Sequence, residues 1–443
     1  MMGQVKHQEQ LFYRLRLEDY IPEDHLLRHV DRFMDFSGLR TELAALYSHT
    51  GRPSVDPELM IRMLLVGYLY GIRSETRLCE EVHLNLAYRW FCRLGFEGAV
   101  PERSTFSKNR HGRFADGDVM RHVFDLVVGV CAANGLIGGT GALVDGSTVH
   151  ADANRARKAA PAEVEATWAA SDSVSRPVQD YLDGLEASAA PVPGPKHKPP
   201  KYLSETDPQA AWSLKDGPGR FSYEVNYLAD DKHAIIVDVE GTSARLSQEI
   251  VAAKAMLERK VAGYDPKTIA ADKSYGTGPF LSWLLERKIT PYIPVLDRKA
   301  QTFGKFTRDA FDYDPANDLY VCPQGHQLPL KSIDEDTRVK RYKATPSQCR
   351  GCPLKSQCTD APSRAVMRLM DEEARQTVRD LADTEAFQVA RIRRKKIEML
   401  FAHLKRWQKL TRLRLRGLSG ANEEFLLAAT AQNLKRLVKL VPT

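Results

Sequence analysis

The sequence predicts a mixed α/β protein preceded by an all-helical segment. Three observations lead there. Residues 1–130 carry apolar positions at helical spacing. From residue 140, short β-patterned runs alternate with amphipathic helices. The chain has 443 residues, enough for two or three domains with a sizeable core. Its 43% hydrophobic and 27% charged residues exclude a disordered or fibrous chain. The opening MMGQVKHQEQLFYRLRLEDY is polar and does not read as a signal peptide. The longest apolar run, MLLVGYLYGI at 63–72, is too short to span a bilayer. A cytoplasmic protein with no membrane partner is expected.

In the helical segment, PELMIRMLLVGYLYGI reads as a buried helix with Asp56 as N-cap and Pro57 at its first position. SETRLCEEVHLNLAYRWFCRLGF continues the helical periodicity. PERSTFSKNRHGRFADGDVMRHVFDLVVGVCAANGLI adds a turn and a long helix. Ser104, Thr105, Ser107, Lys108, Arg110 and Arg113 are expected to cluster at that turn, as in a helix-turn-helix-like module over residues 1–135. An ordinary helical bundle accounts for the same pattern. Lys108 and Arg110 are candidate DNA contacts.

The α/β part begins with GALVDGSTV as a strand. FSYEVNYLAD and HAIIVDVEGT follow as strands, then SQEIVAAKAMLERKV as a helix. KTIAADKSYG is the next strand, FLSWLLERK a helix and ITPYIPV a strand. Residues 140–298 together with 370–440 are expected to form one core. Residues 155–220 interrupt it, rich in Ala, Pro and charge, with APVPGPKHKPPK as a flexible linker. Residues 300–365 form a second, cysteine-bearing insertion.

The net charge of +7 is unevenly spread. RIRRKKIEMLFAHLKRWQKLTRLRLR, residues 391–416, holds eleven Lys or Arg and one acid, Glu398. That segment alone carries +10, so the remainder of the chain is net acidic. A local excess of this kind points to a nucleic-acid track. Around Glu398, Ile397, Leu400, Phe401 and Leu404 form an apolar stripe at helical spacing. Arg394, Glu398 and Lys405 lie four and seven residues apart and share a neighbouring face. Glu398 therefore sits beside the core.

Two further carboxylates complete a pattern. Asp145 in VDGSTVHADA and Asp272 in TIAADKSYGTG each follow an apolar strand and are expected at its end, where ligands gather in open α/β sheets. Taken singly, each is as well read as a turn residue. Taken with Glu398, they are the donors for two Mg²⁺ (or Mn²⁺) ions among phosphate-binding cations. That combination suits in-line phosphoryl transfer. Arg391, Arg393, Arg394, Lys395, Lys396, Lys405 and Arg406 are the candidate DNA contacts of this segment.

Here the sequence resembles the DDE transposases of bacterial insertion sequences, over nearly the whole chain. DPELMIRMLLVGYLYG, RWF and PERSTFSKNR are similar to the family's helical N-terminal domain. GALVDGSTVHADA, SETDPQA, SYEVNYLADDKHAIIVDV and IAADKSYG are similar to its catalytic ribonuclease H-like core, a mixed sheet with flanking helices. The family pattern places an Arg four residues before the catalytic Glu and a Lys seven after, here Arg394, Glu398 and Lys405. It often has a Tyr seven before, where this chain has Arg391. The resemblance implies a catalytic triad of Asp145, Asp272 and Glu398, with Arg394 and Lys405 on DNA phosphates. It implies double-stranded DNA partners, both inverted-repeat ends and target, and a homodimer in the end complex. Asp152 is a weaker rival ligand, expected to be structural. A catalytically dead DNA-binding derivative and a nuclease without strand transfer are the competing functions.

Of seven cysteines, Cys79, Cys92 and Cys131 stand in apolar surroundings and read as packing residues. Cys322, Cys349, Cys352 and Cys358 cluster, with a C-x-x-C at 349–352, and read as a structural zinc knuckle. His326 is an alternative ligand. Unliganded thiols, or an iron–sulfur cluster, are the other readings.

Overall fold

The computed structural model describes residues 16–441 apart from 37, 39–40, 42–43, 45–53, 112–117, 172, 188–199, 216, 246–247 and 297–303. Its N-terminal helices are α1 (Leu17–Tyr20), α2 (Leu26–Phe33), α3 (Pro57–Tyr70), α4 (Glu75–Leu84), α5 (Leu86–Phe91), α6 (Arg103–His111) and α7 (Val119–Ala133). The start of α3 follows the sequence signals, with the Asp56 side chain accepting from Glu58 N–H at 2.8 Å and Pro57 at the first position. Gly71 ends it in the left-handed region, φ 67°, as a C-terminal glycine does. Ser74 and Asn85 cap α4 and α5.

One expectation fails here. Ser104, Thr105, Ser107, Lys108 and Arg110 do not form a turn but lie along α6. Phe106, Asn109 and Arg110 face inward, while Lys108 is exposed. Arg113 lies outside the described residues.

The main sheet contains β1 (Gly141–His150), β4 (Ala211–Ser213), β5 (Arg220–Asp230), β6 (Ile236–Ser243), β7 (Thr268–Ala270) and β8 (Thr290–Tyr292). Its order is β6-β5-β1-β7-β8, with β4 sharing the β6 edge of β5. β5 runs antiparallel to β1, whereas β7 and β8 run parallel. β5 is buried along nearly its whole length, including the polar Glu224 and Asn226. Its ladder carries β1 through the polar stretch Asp145–Gly146–Ser147 to His150.

Between β1 and β4 stand α8 (Pro161–Ala169), α9 (Arg176–Ala187) and a small ladder of β2 (Lys158–Ala159) with β3 (Leu203–Ser204). Residues 155–220, expected as a flexible insertion, thus hold two helices packed by Val164, Trp168, Val178 and Leu203. The linker sequence itself, 190–201, falls outside the described residues up to 199.

Helices α10 (Gln248–Arg259) and α11 (Gly278–Glu286) pack on the sheet. The cysteine-bearing segment forms a second, antiparallel sheet in the order β13-β12-β11-β10-β9: β9 (Asp312–Asp314), β10 (Leu319–Val321), β11 (Gln327–Asp334), β12 (Val339–Lys343) and β13 (Ala365–Leu369). It also carries α12 (Pro346–Arg350) and α13 (Lys355–Cys358), around a core of Phe311, Tyr320, Leu328, Tyr342 and Val366.

The chain closes with α14 (Glu372–Leu381), α15 (Glu385–Arg406) and α16 (Gly417–Leu440). α15 crosses β1, β7 and β8. α16 is buried along most of its length between α3, α7 and β6, and so joins the helical segment to the sheet. Asn433 on it bonds both the N–H and the C=O of Ile236, at 2.9 and 2.7 Å, which satisfies backbone groups of β6 at that position. Among the described residues no helix is long and apolar enough to cross a membrane.

Candidate active site

Strand register brings the two aspartates level. β1 and β7 are parallel neighbours with Leu143 opposite Ala270. Asp145 and Asp272 each stand two residues further on. Asp145 lies within β1 and not at its end, because β5 continues to pair it. Asp272 leaves β7 and caps the short 3-10 turn Lys273–Tyr275, accepting from Ser274 N–H at 2.8 Å and Ser274 Oγ at 2.6 Å.

Helix α15 brings the third acid. Thr384 caps it, and Phe387, Ile397, Leu400, Phe401 and Leu404 bury its inner face. Tyr227, the cross-strand partner of Asp145, stacks on Phe401 with centroids 4.8 Å apart and planes 12° from parallel. That contact fixes the helix over the sheet at the level of Asp145. One turn back, Arg394 Nη2 meets Glu398 Oε1 at 2.8 Å and Arg394 Nη1 stands 3.7 Å from Asp145 Oδ2. A single guanidinium therefore bridges a strand carboxylate and a helix carboxylate.

The electrostatics follow from burial. The Asp145 side chain is 17% exposed, and that desolvation pushes its carboxyl up to about 6. Asp272 and Glu398 push the same way, while the Gly146 N–H, at 2.9 Å, and Arg394 oppose them. The cost of the buried Asp145 charge is one that a nearby divalent cation would relieve. The hard oxygen donors of the three carboxylates fit Mg²⁺ or Mn²⁺. As placed, however, no group of three or more His, Cys, Asp or Glu among the described residues is arranged to hold a metal ion.

Sequence reasoning missed a second ring of residues. Glu224, 4% exposed, receives Lys215 Nζ at 2.9 Å. Burial and then Glu224 and Asp272 push Glu249 up. The buried Tyr275 hydroxyl has no hydrogen-bond partner among the described residues and is pushed up by burial and by Asp145, Glu249, Glu224 and Asp272. Gly146 makes room for this ring, since a Cβ there would come within 2.9 Å of Asn226 Oδ1 and 3.3 Å of Glu224 Cδ. The available signal was a Glu and an Asn inside a strand otherwise rich in apolar residues. A cavity of about 640 Å³ adjoins Asp272, walled by Tyr292 and Phe387 and rimmed by Lys273, Arg391 and Arg394.

The candidate DNA contacts divide. Arg391 and Arg394 face that cavity. Lys395 and Arg406 are exposed, and Lys405 is half-buried. Arg393 is paired with Asp231 at 2.6 Å, and Lys396 Nζ donates to the carbonyls of Asp231 and Lys232 at 2.7 and 2.9 Å. Both tie the helix to the β5–β6 turn. Arg110 is a correction: it is 4% exposed and bonds Glu75 at 3.0 Å, so its side chain does not face a surface ligand. Asp152 is paired with Arg412 at 2.9 Å and Arg416 at 3.2 Å.

In the second sheet, burial pushes the Cys358 thiol up, and Cys349, Cys322 and Cys352 push the same way. The four cysteines therefore gather, although not as a formed metal cage. Cys322 N–H donates to His326 C=O at 2.9 Å, but the His326 side chain is exposed. Cys92 and Cys131 are buried and Cys79 half-buried, as packing residues.

Residues 15–112 match a family described as a transposase domain (DUF772), and residues 321–438 match a transposase DDE domain. The second match contains Glu398 and the four clustered cysteines. No curated protein matches. A solved structure, the cryo-EM structure of a piggyBac transposase synaptic complex with hairpin DNA, is similar at 11% identity, covering 93% of this chain and 72% of that one, with a TM-score of 0.32. That likeness is too slight to carry the fold.

Proposed function

We propose that this chain, a DDE transposase of the insertion-sequence type, binds the ends of its element, cleaves them by metal-dependent phosphodiester hydrolysis and joins the freed 3′ hydroxyl to target DNA. The observation that carries this is the Arg394 bridge between Asp145 and Glu398, with Asp272 two residues beyond the end of the adjacent strand β7.

The strand order β6-β5-β1-β7-β8, with the second strand antiparallel, supports a ribonuclease H-like core. Asp145, Asp272 and Glu398 would hold Mg²⁺ or Mn²⁺, which supplies activation of the attacking oxygen and charge stabilisation at the leaving oxygen. Arg394 shields the carboxylates from one another when the DNA is absent. With the carboxylates neutralised, its guanidinium is free for a phosphate next to the cleaved bond. Arg391, Lys405, Lys395 and Arg406 extend the cationic face along the same helix. Residues 1–135, with helices α1–α7 and Lys108 on the outer face of α6, form the DNA-binding N-terminal domain. Two copies hold paired ends, and the protein works at the nucleoid.

Cys322, Cys349, Cys352 and Cys358 would hold one structural Zn²⁺, which would stiffen the second sheet. The mutual influence of the four thiols favours this set over one that includes His326.

The test is an assay on paired ends, taken from short inverted repeats flanking the gene. Mg²⁺-dependent cleavage followed by joining supports transposition. Cleavage without joining favours the nuclease, and binding without either favours the inactive derivative.

A further inference from the structure

A second basic site lies away from the carboxylates. A groove of about 530 Å³ opens between the end of α3 and the segment that follows α15. Arg73, Arg77, Lys409, Arg412 and Arg414 line it, with Asp152 as the one acid among the described residues. Local structure sets these cations out. His150 N–H donates to Thr411 C=O at 3.1 Å, and Leu413 N–H donates to His150 C=O at 2.7 Å, so the segment pairs beside the last residue of β1. Leu410, Leu413 and Leu415 are buried, which leaves Lys409, Arg412 and Arg414 exposed. Glu424 on α16, fully buried, accepts from the N–H of Arg414 at 2.5 Å and of Leu415 at 2.6 Å, and from the guanidinium of Arg73. One carboxylate thus ties the two walls together.

The charge is not balanced within the groove. Asp152 holds Arg412, and Glu81 meets Arg77 at the rim. Lys409 and Arg414 have no ion pair among the described residues. Behind them a water-sized cavity, sharing Ile72, Arg73 and Arg414 with the groove, reaches Arg110. Arg110 is 4% exposed and bonds Glu75, which also lines this cavity, and Arg73 bonds Glu424; among the described residues Arg110 Nε and Nη2 and Arg73 Nε have no hydrogen-bond partner. A guanidinium does not lose its proton, so these buried charges are permanent. On this exposed rim Lys409 and Arg414, without an ion pair among the described residues, favour an anion.

We propose that this groove binds the phosphodiester backbone of double-stranded DNA at a distance from the cleaved bond. The inference rests on the DNA-binding function above and adds a second contact to it. Extent favours a duplex over a small anion, because the cations stand on both walls. β1 leads from Asp145 to His150, and at about 3.3 Å per residue the groove begins roughly 17 Å from the candidate active site. At about 3.4 Å per step along one strand, that is about five nucleotides. A duplex lying along β1 with a phosphate at Asp145 would reach the groove within about half a turn.

The test uses the full chain without divalent metal and a duplex about three helical turns long. The variant Arg77→Gln, Lys409→Gln, Arg414→Gln should melt as the wild type does. Its log K against log salt slope should be shallower by roughly 2–3. If the triple variant does not fold, Lys409→Gln alone should flatten the slope by roughly 0.9. An unchanged slope in a variant that melts normally overturns the groove. So does loss of inorganic phosphate binding with duplex binding intact, which marks a small-anion site. A wild type that binds no duplex overturns the groove and the DNA-binding function together.

Discussion

The ring of Phe401 lies on the ring of Tyr227, and Tyr227 is the residue directly opposite Asp145 across the β1–β5 ladder. Glu398 stands one turn before Phe401 on the same helix. The position of the helix carboxylate relative to the strand carboxylate therefore depends on an apolar contact.

Phe401→Ala should cost about 3 kcal/mol or more of stability, as large-to-small changes at buried aromatics do. It should also reduce cleavage more than end binding. Phe401→Leu should recover most of the stability. Thermal melts and cleavage rates on the two variants check this. Full cleavage in a folded Phe401→Ala protein would detach the stack from the site.

Asp145 offers a pH test of the metal-free protein. Its folded value, about 6, lies above the unfolded value of 3.8. The charged form is thus penalised in the fold, on the order of 3 kcal/mol for a shift of this size. The penalty is complete above pH 6 and fades as pH falls from 6 towards 3.8. Asp145→Asn should raise the melting temperature at pH 7–8, and the gain should shrink below about pH 6. A gain that is constant with pH, or none, would contradict the burial of this charge.

The sequence made some of this legible and hid the rest for physical reasons. The Asp56–Pro57 helix start and the Ile397, Leu400, Phe401, Leu404 stripe were readable because capping and periodicity are local. The extension of β1 through Asp145–Gly146–Ser147 was not, because a polar run stays in the sheet only when a neighbour such as β5 pairs it. Arg110 misled for the same reason: on α6 the burial of a cation depends on Glu75 and Glu424, which come from other elements. Glu224 and Glu249 reach the site only through tertiary packing. The second sheet was invisible beneath its cysteines, since strands such as Asp312–Asp314 and Leu319–Val321 have only three residues, too few to show a period of two.

The cysteine cluster predicts a metal content. Freshly purified protein should carry about one zinc per chain, and Cys349→Ser with Cys352→Ser should lose it while His326→Ala keeps it. Elemental analysis decides. Wild type without zinc would leave the four thiols unliganded.

Arg394→Ala removes the bridge between Asp145 and Glu398. End binding should weaken, with the salt slope reduced by roughly one phosphate contact, and cleavage should fall further than binding. Binding titrations at several salt concentrations, beside single-turnover cleavage, separate the two effects. An equal loss in both would confine Arg394 to binding.

Glu398→Gln tests the central claim most directly. The side chain is 50% exposed and pairs with Arg394 at i,i+4 spacing, so a purely structural role is worth only about 0.3–0.5 kcal/mol. Glutamine keeps the shape and removes a charge that repels phosphate. On paired inverted-repeat ends with Mg²⁺, the variant should bind as tightly as the wild type or more so, and cleavage should be abolished. Full cleavage by Glu398→Gln would contradict the assignment of this carboxylate to the metal.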